Sequence, residues 1–290
     1  MIGFQRILFP TDFSEQSAAI APAVEAMAKR FRSEIIALHV IDLPLAWYGA
    51  SEAAAWSALI NAERLRAEGA AALARFVSQH FSVANVSQCL EQGDAARQIV
   101  DLAGERNADL IMMPTRGYGP FRALLLGSVT AKVLHDAKCP VWTGVHSSDL
   151  TAHPADRWRR VVCALDANRQ DADVLRWASE FAGEQALELR LVHVVQGADQ
   201  TLTHESDPGM YEFLFDTARE QISKIQAEVG TAFDVCLKGG RVGRIVREAA
   251  LGFQADLIVI GRGVIHERLG QLRSSAYSIV REAPCPVIRV

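Results

Sequence analysis

The first half of the chain carries five short runs that read as strands. They are RILFP (6–10), EIIALHVI (34–41), VSQCLEQG (86–93), ADLIMMP (108–114) and CPVWTGV (139–145). Most are apolar without alternation, the pattern of strands buried on both faces of a sheet. The stretches between them follow helical spacing. SEQSAAIAPAVEAMAKRF (14–31) starts with Ser14 in the N-cap place, and DAARQIVDLAGERN (94–107) starts with Asp94. Residues 51–80 are Ala-rich and helical in pattern, and LLGSVTAKVLHDA (125–137) makes a fourth helix. Strands alternating with helices predict a parallel sheet covered on both sides, and right-handed crossovers make it doubly wound.

The pattern then repeats. RRVVCALDAN (159–168) resembles QRILFPTDFS (5–14) at an offset of 154, which also lays LVHVV (191–195) over ALHVI (37–41). ADLIVIGRG (255–263) resembles ADLIMMPTR (108–116) at 147, and PCPVIRV (284–290) resembles KCPVWTG (138–144) at 146. One unit of about 145 residues therefore occurs twice. The expected domains are 1–146 and 157–290, joined by a linker at about 147–156 inside the polar stretch HSSDLTAHPADR (146–157).

Doubly wound sheets bind ligands beyond the carboxyl ends of their strands. The first strand ends in Pro10-Thr11-Asp12. Ser14 supplies the helix cap, which leaves Asp12 spare to accept hydrogen bonds from ribose hydroxyls; a plain turn residue is the alternative. Asp166 and Asn168 are the counterparts in the second unit. His39, repeated as His193, reads as a structural residue satisfied within the core. Val40 offers only its backbone. After the fourth strand comes PTRGYGPFRALLLGSVTAK (114–132), in which Gly127 and Ser128 open a helix. Free amides at a helix start favour an anion, and glycine lets a phosphate approach closely. An ordinary loop is the alternative, since the full P-loop spacing is missing. GGRVGR (239–244) reads as a strand-to-helix turn, and the aromatic stretch 43–60, with Trp47, Tyr48 and Trp56, as a buried helix or a contact surface.

Composition narrows the function. Lys plus Arg number 30 and Asp plus Glu 34, a net charge of −4, which argues against nucleic acid as the main partner. The five cysteines are odd in number and form no C-x-x-C pair, which fits a reducing compartment. The N-terminus lacks the apolar core of a signal peptide and no apolar run is long enough to span a membrane, so a cytoplasmic protein without a membrane partner is expected. No G-x-S-x-G elbow, H-E-x-x-H motif or Walker Lys-Ser/Thr pair occurs.

Together the strand-one segment ILFPTDFS and the segment from Pro114 to Ser128 resemble the universal stress protein family, in tandem form, and the likeness covers both units almost end to end. Nucleotide-binding members carry G-x-x-G-x9-G-[ST] after the fourth strand. Here Gly117, Gly127 and Ser128 match and Pro114 replaces the first glycine. The resemblance implies an α/β fold of two tandem doubly wound domains, each a five-stranded parallel sheet of order 3-2-1-4-5 with helices on both faces. It implies a stress-response regulatory protein that binds ATP, with or without magnesium, mainly in the first domain. Asp12 would contact ribose, Pro10 and Val40 would flank the adenine, and Met113 would lie along the base, with Thr11 and Pro114 also among the site residues. Gly117, Gly127, Ser128 and Val129 would hold phosphate, with Thr130 as a further hydroxyl. In the second domain Asp166, Val194, Gly261 and Ser275 are the counterparts, but Val264 and Ser274 replace two glycines and mark that loop as degenerate. The last strands would pair the two domains within the chain, and a homodimer is compatible with this. Two alternatives stand beside the binding role. One is a slow ATPase or autophosphorylating protein using Ser128 or Thr130. The other is a nucleotide-free scaffold acting through protein contacts at 43–60.

Overall fold

The computed structural model describes residues 2–41, 52–117, 126–145, 158–168, 170–195, 198, 208–262 and 275–290. By its contacts the chain forms two compact units, one holding Gly3–Arg122 and Gly127–Val141, the other Trp142–Val290 with two short pieces from elsewhere. The aromatic stretch at 43–60 and most of the loop between Gly117 and Leu126 lie outside the residues whose side chains are described.

The first repeat runs β1 (Arg6–Pro10), α1 (Glu15–Phe31), β2 (Glu34–Ile41), α2 (Glu52–His80), β3 (Val86–Gln92), α3 (Ala95–Glu105), β4 (Leu110–Met113), α4 (Ser128–Asp136), β5 (Val141–Thr143). Its strands lie in the order β3-β2-β1-β4-β5, the expected 3-2-1-4-5. The pairs β1–β2, β1–β4 and β2–β3 are parallel. The second repeat runs β6 (Arg160–Leu165), α5 (Asp171–Glu184), β7 (Glu188–Val195), α6 (Pro208–Val229), β8 (Val235–Gly239), α7 (Val242–Phe253), β9 (Leu257–Ile260), α8 (Ser275–Glu282), β10 (Val287–Arg289). Its order, β8-β7-β6-β9-β10, is the same.

Strand β1 shows why the runs are apolar throughout. Ile7, Leu8 and Phe9 are fully buried. Successive residues face opposite sides of a sheet, so both sides must be covered. On one side Phe9 meets the rings of Phe76 and Phe81, with centroids 6.0 and 5.6 Å away. On the other, Leu8 packs in a cluster with Ile36, Ile99 of α3, Ile111 and Val133 of α4. Each such side chain contributes about 1.5–3 kcal/mol when fully buried.

The helix starts follow local chemistry. Ser14 caps α1 by accepting the Ser17 amide, and Asp94 caps α3 by accepting that of Arg97, both as predicted. Helix α4 begins at Ser128 with Gly127 as its N-cap, the opening expected from Gly127 and Ser128. Helix α5 differs. Asn168 is not its cap; its Oδ1 accepts the Gln170 amide at 2.7 Å, closing a tight turn, and the helix starts at Asp171.

Several contacts recur at the sequence offsets. Asp109 Oδ2 accepts the amides of Gln5 and Arg6 at 2.8 and 2.9 Å. Asp256 Oδ2 accepts those of Arg159 and Arg160 at 2.7 and 3.0 Å. Gly93 and Gly240 both turn the chain between third strand and third helix with φ of 128° and 133°, where glycine is favoured. GGRVGR is therefore the strand-to-helix turn it reads as. All five cysteines are free thiols. Among the described residues no helix is long and apolar enough to cross a membrane.

Candidate functional site

The candidate residues of the first unit gather at the carboxyl ends of β1, β2 and β4. Pairing of β1 with β2 ends at Pro10 and Leu38, while β2 continues to Ile41, so Val40 stands past the end of β1. Pro10, Thr11, Met113 and Pro114 are buried beneath this corner, and Val40 is half-buried. Thr11 is fully committed to the scaffold. Its amide donates to Leu38 O at 2.8 Å, its Oγ1 accepts the Phe13 amide at 3.1 Å, and its carbonyl meets His39 Nδ1 at 2.9 Å.

The last contact explains the repeated histidine. His193 Nδ1 meets Leu165 O at 2.8 Å in the same way. In both units the ring fastens the second strand to the end of the first. Phe13 stacks on His39 at 4.3 Å and adopts φ 62°; Ala167, its counterpart, adopts φ 58°. The turn is left-handed in both units, which costs a non-glycine residue on the order of 1 kcal/mol. It swings the preceding Asp clear of the strand.

Asp12 is less spare than the position of Ser14 suggests. Its Oδ1 accepts the Ser14 amide at 3.0 Å and the Ser17 hydroxyl at 2.8 Å. Ser17, buried in the first turn of α1, is a site residue that the spacing of motifs does not reveal. The other oxygen, Oδ2, lies against Gly117, where any Cβ would overlap it. Gly117 thus has a steric reason to be glycine, and the reason is the carboxylate itself.

The ends of the loop after β4 are pinned together. Thr130 Oγ1 donates to Pro114 O at 3.0 Å, and the Gly127 amide donates to Thr115 O at 2.9 Å. A Cβ at Gly127 would touch Thr115 and Arg116 at no closer than 3.4 Å, an ordinary contact. Gly127 and Thr130 therefore tie the two ends of the loop together with groups that a ligand would otherwise meet, and Thr130 is buried. Ser128 is exposed and Val129 half-buried at the start of α4, which has no side-chain cap. Asp12 lies against Gly117, and two residues before Gly117 the carbonyl of Thr115 accepts the Gly127 amide at the start of α4.

In the second unit Asp166, Gly261 and Ser275 line one recess together with Asn168, Asp171 and Arg262. It holds only about 20 Å³, room for about one water. Val194 lies outside it, in an adjoining recess shared with Asp166 and His193. Asp171 is buried, and burial pushes its carboxyl up to about 6; the Asn168 amide lowers it and the charge of Asp166 raises it. Partial desolvation at the rim also raises the Asp166 carboxyl, and His193 draws it back. Among the described residues no group of three or more His, Cys, Asp or Glu is placed to hold a metal.

The sequence matches the Universal stress protein family over residues 3–143 and again over 157–290. Universal stress protein MJ0531 of Methanocaldococcus jannaschii is 34% identical over 140 residues, 48% of this chain and 80% of its own. A universal stress protein of Thermus aquaticus is 32% identical over 140 residues, 48% of this chain and 96% of its own. The crystal structure of a universal stress protein from Archaeoglobus fulgidus covers 98% of this chain and 95% of its own at 24% identity, with a TM-score of 0.61, a likeness of fold.

Proposed function

The chain belongs to the universal stress protein family, and from that premise we propose that its first unit binds an adenine nucleotide, ATP, in a regulatory role. The supporting observations are the seating of Asp12 against Gly117 and the bond from the Gly127 amide to Thr115 O, which brings the start of α4 to the same chain segment. A carboxylate suited to ribose hydroxyls then adjoins backbone amides suited to phosphate. Asp12 grips the sugar. Val40 and Met113 flank the base, with Pro10, Thr11 and Pro114 forming the floor. The amides of Ser128 and Val129, at the positive end of the α4 dipole, take the phosphates, next to Gly117. Gly127 and Thr130 hold the loop in place. In this reading Asp12 is committed to the sugar, the function is binding, and bound nucleotide stabilises the state that binds it.

Calorimetry of the purified chain with ATP, with and without magnesium, tests this. One nucleotide per chain is expected. Asp12→Ala should weaken binding about tenfold to a hundredfold, the cost of losing charge-assisted hydrogen bonds. Gly117→Ala should also weaken binding, because its methyl displaces the Asp12 carboxylate. Absence of heat under both conditions, with no nucleotide released on denaturation, would overturn the reading.

A further inference from the structure

We propose that Ser17 is the positioning residue that holds Asp12 ready for the sugar, and that Asp171, its counterpart, disables the corresponding corner of the second unit. The proposal rests on the nucleotide reading of the first unit and extends it to a residue that touches no ligand.

At the offset of 154, Asp12, Ser14 and Ser17 correspond to Asp166, Asn168 and Asp171. In the first unit two donors converge on Asp12 Oδ1: the Ser14 amide at 3.0 Å and the Ser17 hydroxyl at 2.8 Å. Ser17 is fixed in turn, since its amide donates to Ser14 Oγ at 3.2 Å and its Oγ lies 3.3 Å from the same atom. Donors to an ionised carboxylate favour that form and fix its rotation. With Oδ1 held, Oδ2 is directed to Gly117.

In the second unit the same amide has a different acceptor. The Asn168 amide donates to Asp171 Oδ2 at 3.0 Å. An ionised Asp171 has no proton to donate and adds a second negative charge beside Asp166. Among the described residues this pair is surrounded by His193, tied through Nδ1 to Leu165 O, the neutral Asn168 and Gln170, the buried Cys163 thiol on β6, and Arg262 at the rim. Two carboxylates over a recess of about 20 Å³ disfavour an anionic ligand.

The test uses the full chain with Ser17→Ala, Ser17→Thr, Ser17→Asp and Asp171→Ser, and two readouts. The first is ATP affinity between pH 5 and 8. Ser17→Ala should lose about tenfold, the worth of one hydrogen bond to a charged group, and Ser17→Thr should restore it to within about threefold. Ser17→Asp should lose most at pH 8 and recover toward pH 5, a profile that simple loss of packing does not produce. The second readout is carboxyl-carbon NMR titration without nucleotide. Ser17→Ala and Ser17→Asp should raise the Asp12 midpoint, and Asp171→Ser should lower that of Asp166. Unmoved midpoints in the folded variants overturn the proposal whether or not ATP binds. Moved midpoints with no ATP binding by the wild type would leave Ser17 as the residue that holds Asp12 and remove the nucleotide reading instead. Should Ser17→Asp fail to fold, Ser17→Ala and Asp171→Ser still decide it.

Discussion

The two units agree where they hold their sheets and disagree where they would meet a ligand. Asp109 and Asp256 clamp the start of the first strand with the same pair of amide bonds, and His39 and His193 fasten its end to the second strand. Gly93 and Gly240 make the same left-handed turn. At the ligand corner, by contrast, Ser17 gives way to Asp171, Pro114 to Gly261 and Gly117 to Val264. Sheet contacts constrain both copies alike, because each unit must pay the same cost for an unpaired buried polar group. A ligand corner has no such obligation once one copy carries the function. A contact repeated in both units is therefore best read as scaffold, and the contacts that differ point to the chemistry.

The largest effect expected from this contrast concerns a glycine that only the second unit needs. Gly239 occupies the place of Gln92, and a Cβ there would overlap the carbonyl of Ala198. The obstacle is backbone, which cannot swing aside as a side chain can. Gly239→Ala should cost about 3 kcal/mol through overpacking, measured by chemical denaturation of the full chain, whereas Gln92→Ala should stay within about 0.5 kcal/mol. Equal losses at the two positions would show that the units are more alike here than the Ala198 contact implies.

A somewhat smaller effect depends on pH. The Asp171 carboxyl is raised from an ordinary 3.8 to about 6 in the folded chain, first by burial and then by Asp166. Between those values the folded state holds more protons on Asp171 than the unfolded one, so the contribution of this group to stability is fully present below about 4 and is lost as pH rises through 6. The full shift corresponds to about 2–3 kcal/mol. Asp171→Asn keeps an acceptor for the Asn168 amide but cannot ionise, so it should gain stability over wild type at pH 8 and little at pH 4. A gain of the same size at both values would mean that Asp171 is not the titrating group. Ser17 imposes no such pH dependence on the first unit.

How much of this was legible in the sequence follows the range of the interactions. Strands, helices and the caps at Ser14 and Asp94 rest on neighbours within a few residues, and the pattern shows them. The repeated histidines were readable as structural because the duplication shows them twice. The start of α5 was misplaced because Asn168 turns back on Gln170, a choice between two local bonds that composition does not decide. Gly117 was readable as a glycine near phosphate, but not as the seat of Asp12, since 105 positions separate them and only the β1–β4 pairing brings them together. Ser17 escaped because its hydroxyl acts backwards across the first turn of α1, a contact no ligand motif encodes.

The smallest effect separates stability from binding within one corner. Ser14 does three things: its Oγ accepts the Ser17 amide as the cap of α1 and donates to Ser17 Oγ at 3.3 Å, and its own amide donates to Asp12. Ser14→Ala removes the first two and keeps the third, because the amide belongs to the backbone. Loss of the cap should cost about 1 kcal/mol in denaturation. ATP affinity should fall by no more than about threefold, since Asp12 retains both of its donors. Asn168→Ala, at the matching position, should cost less stability, because Asn168 caps a turn and not the helix. If Ser14→Ala instead reduced affinity as far as Ser17→Ala does, the cap would be what orients Asp12, and the distinction drawn between the two serines would fail.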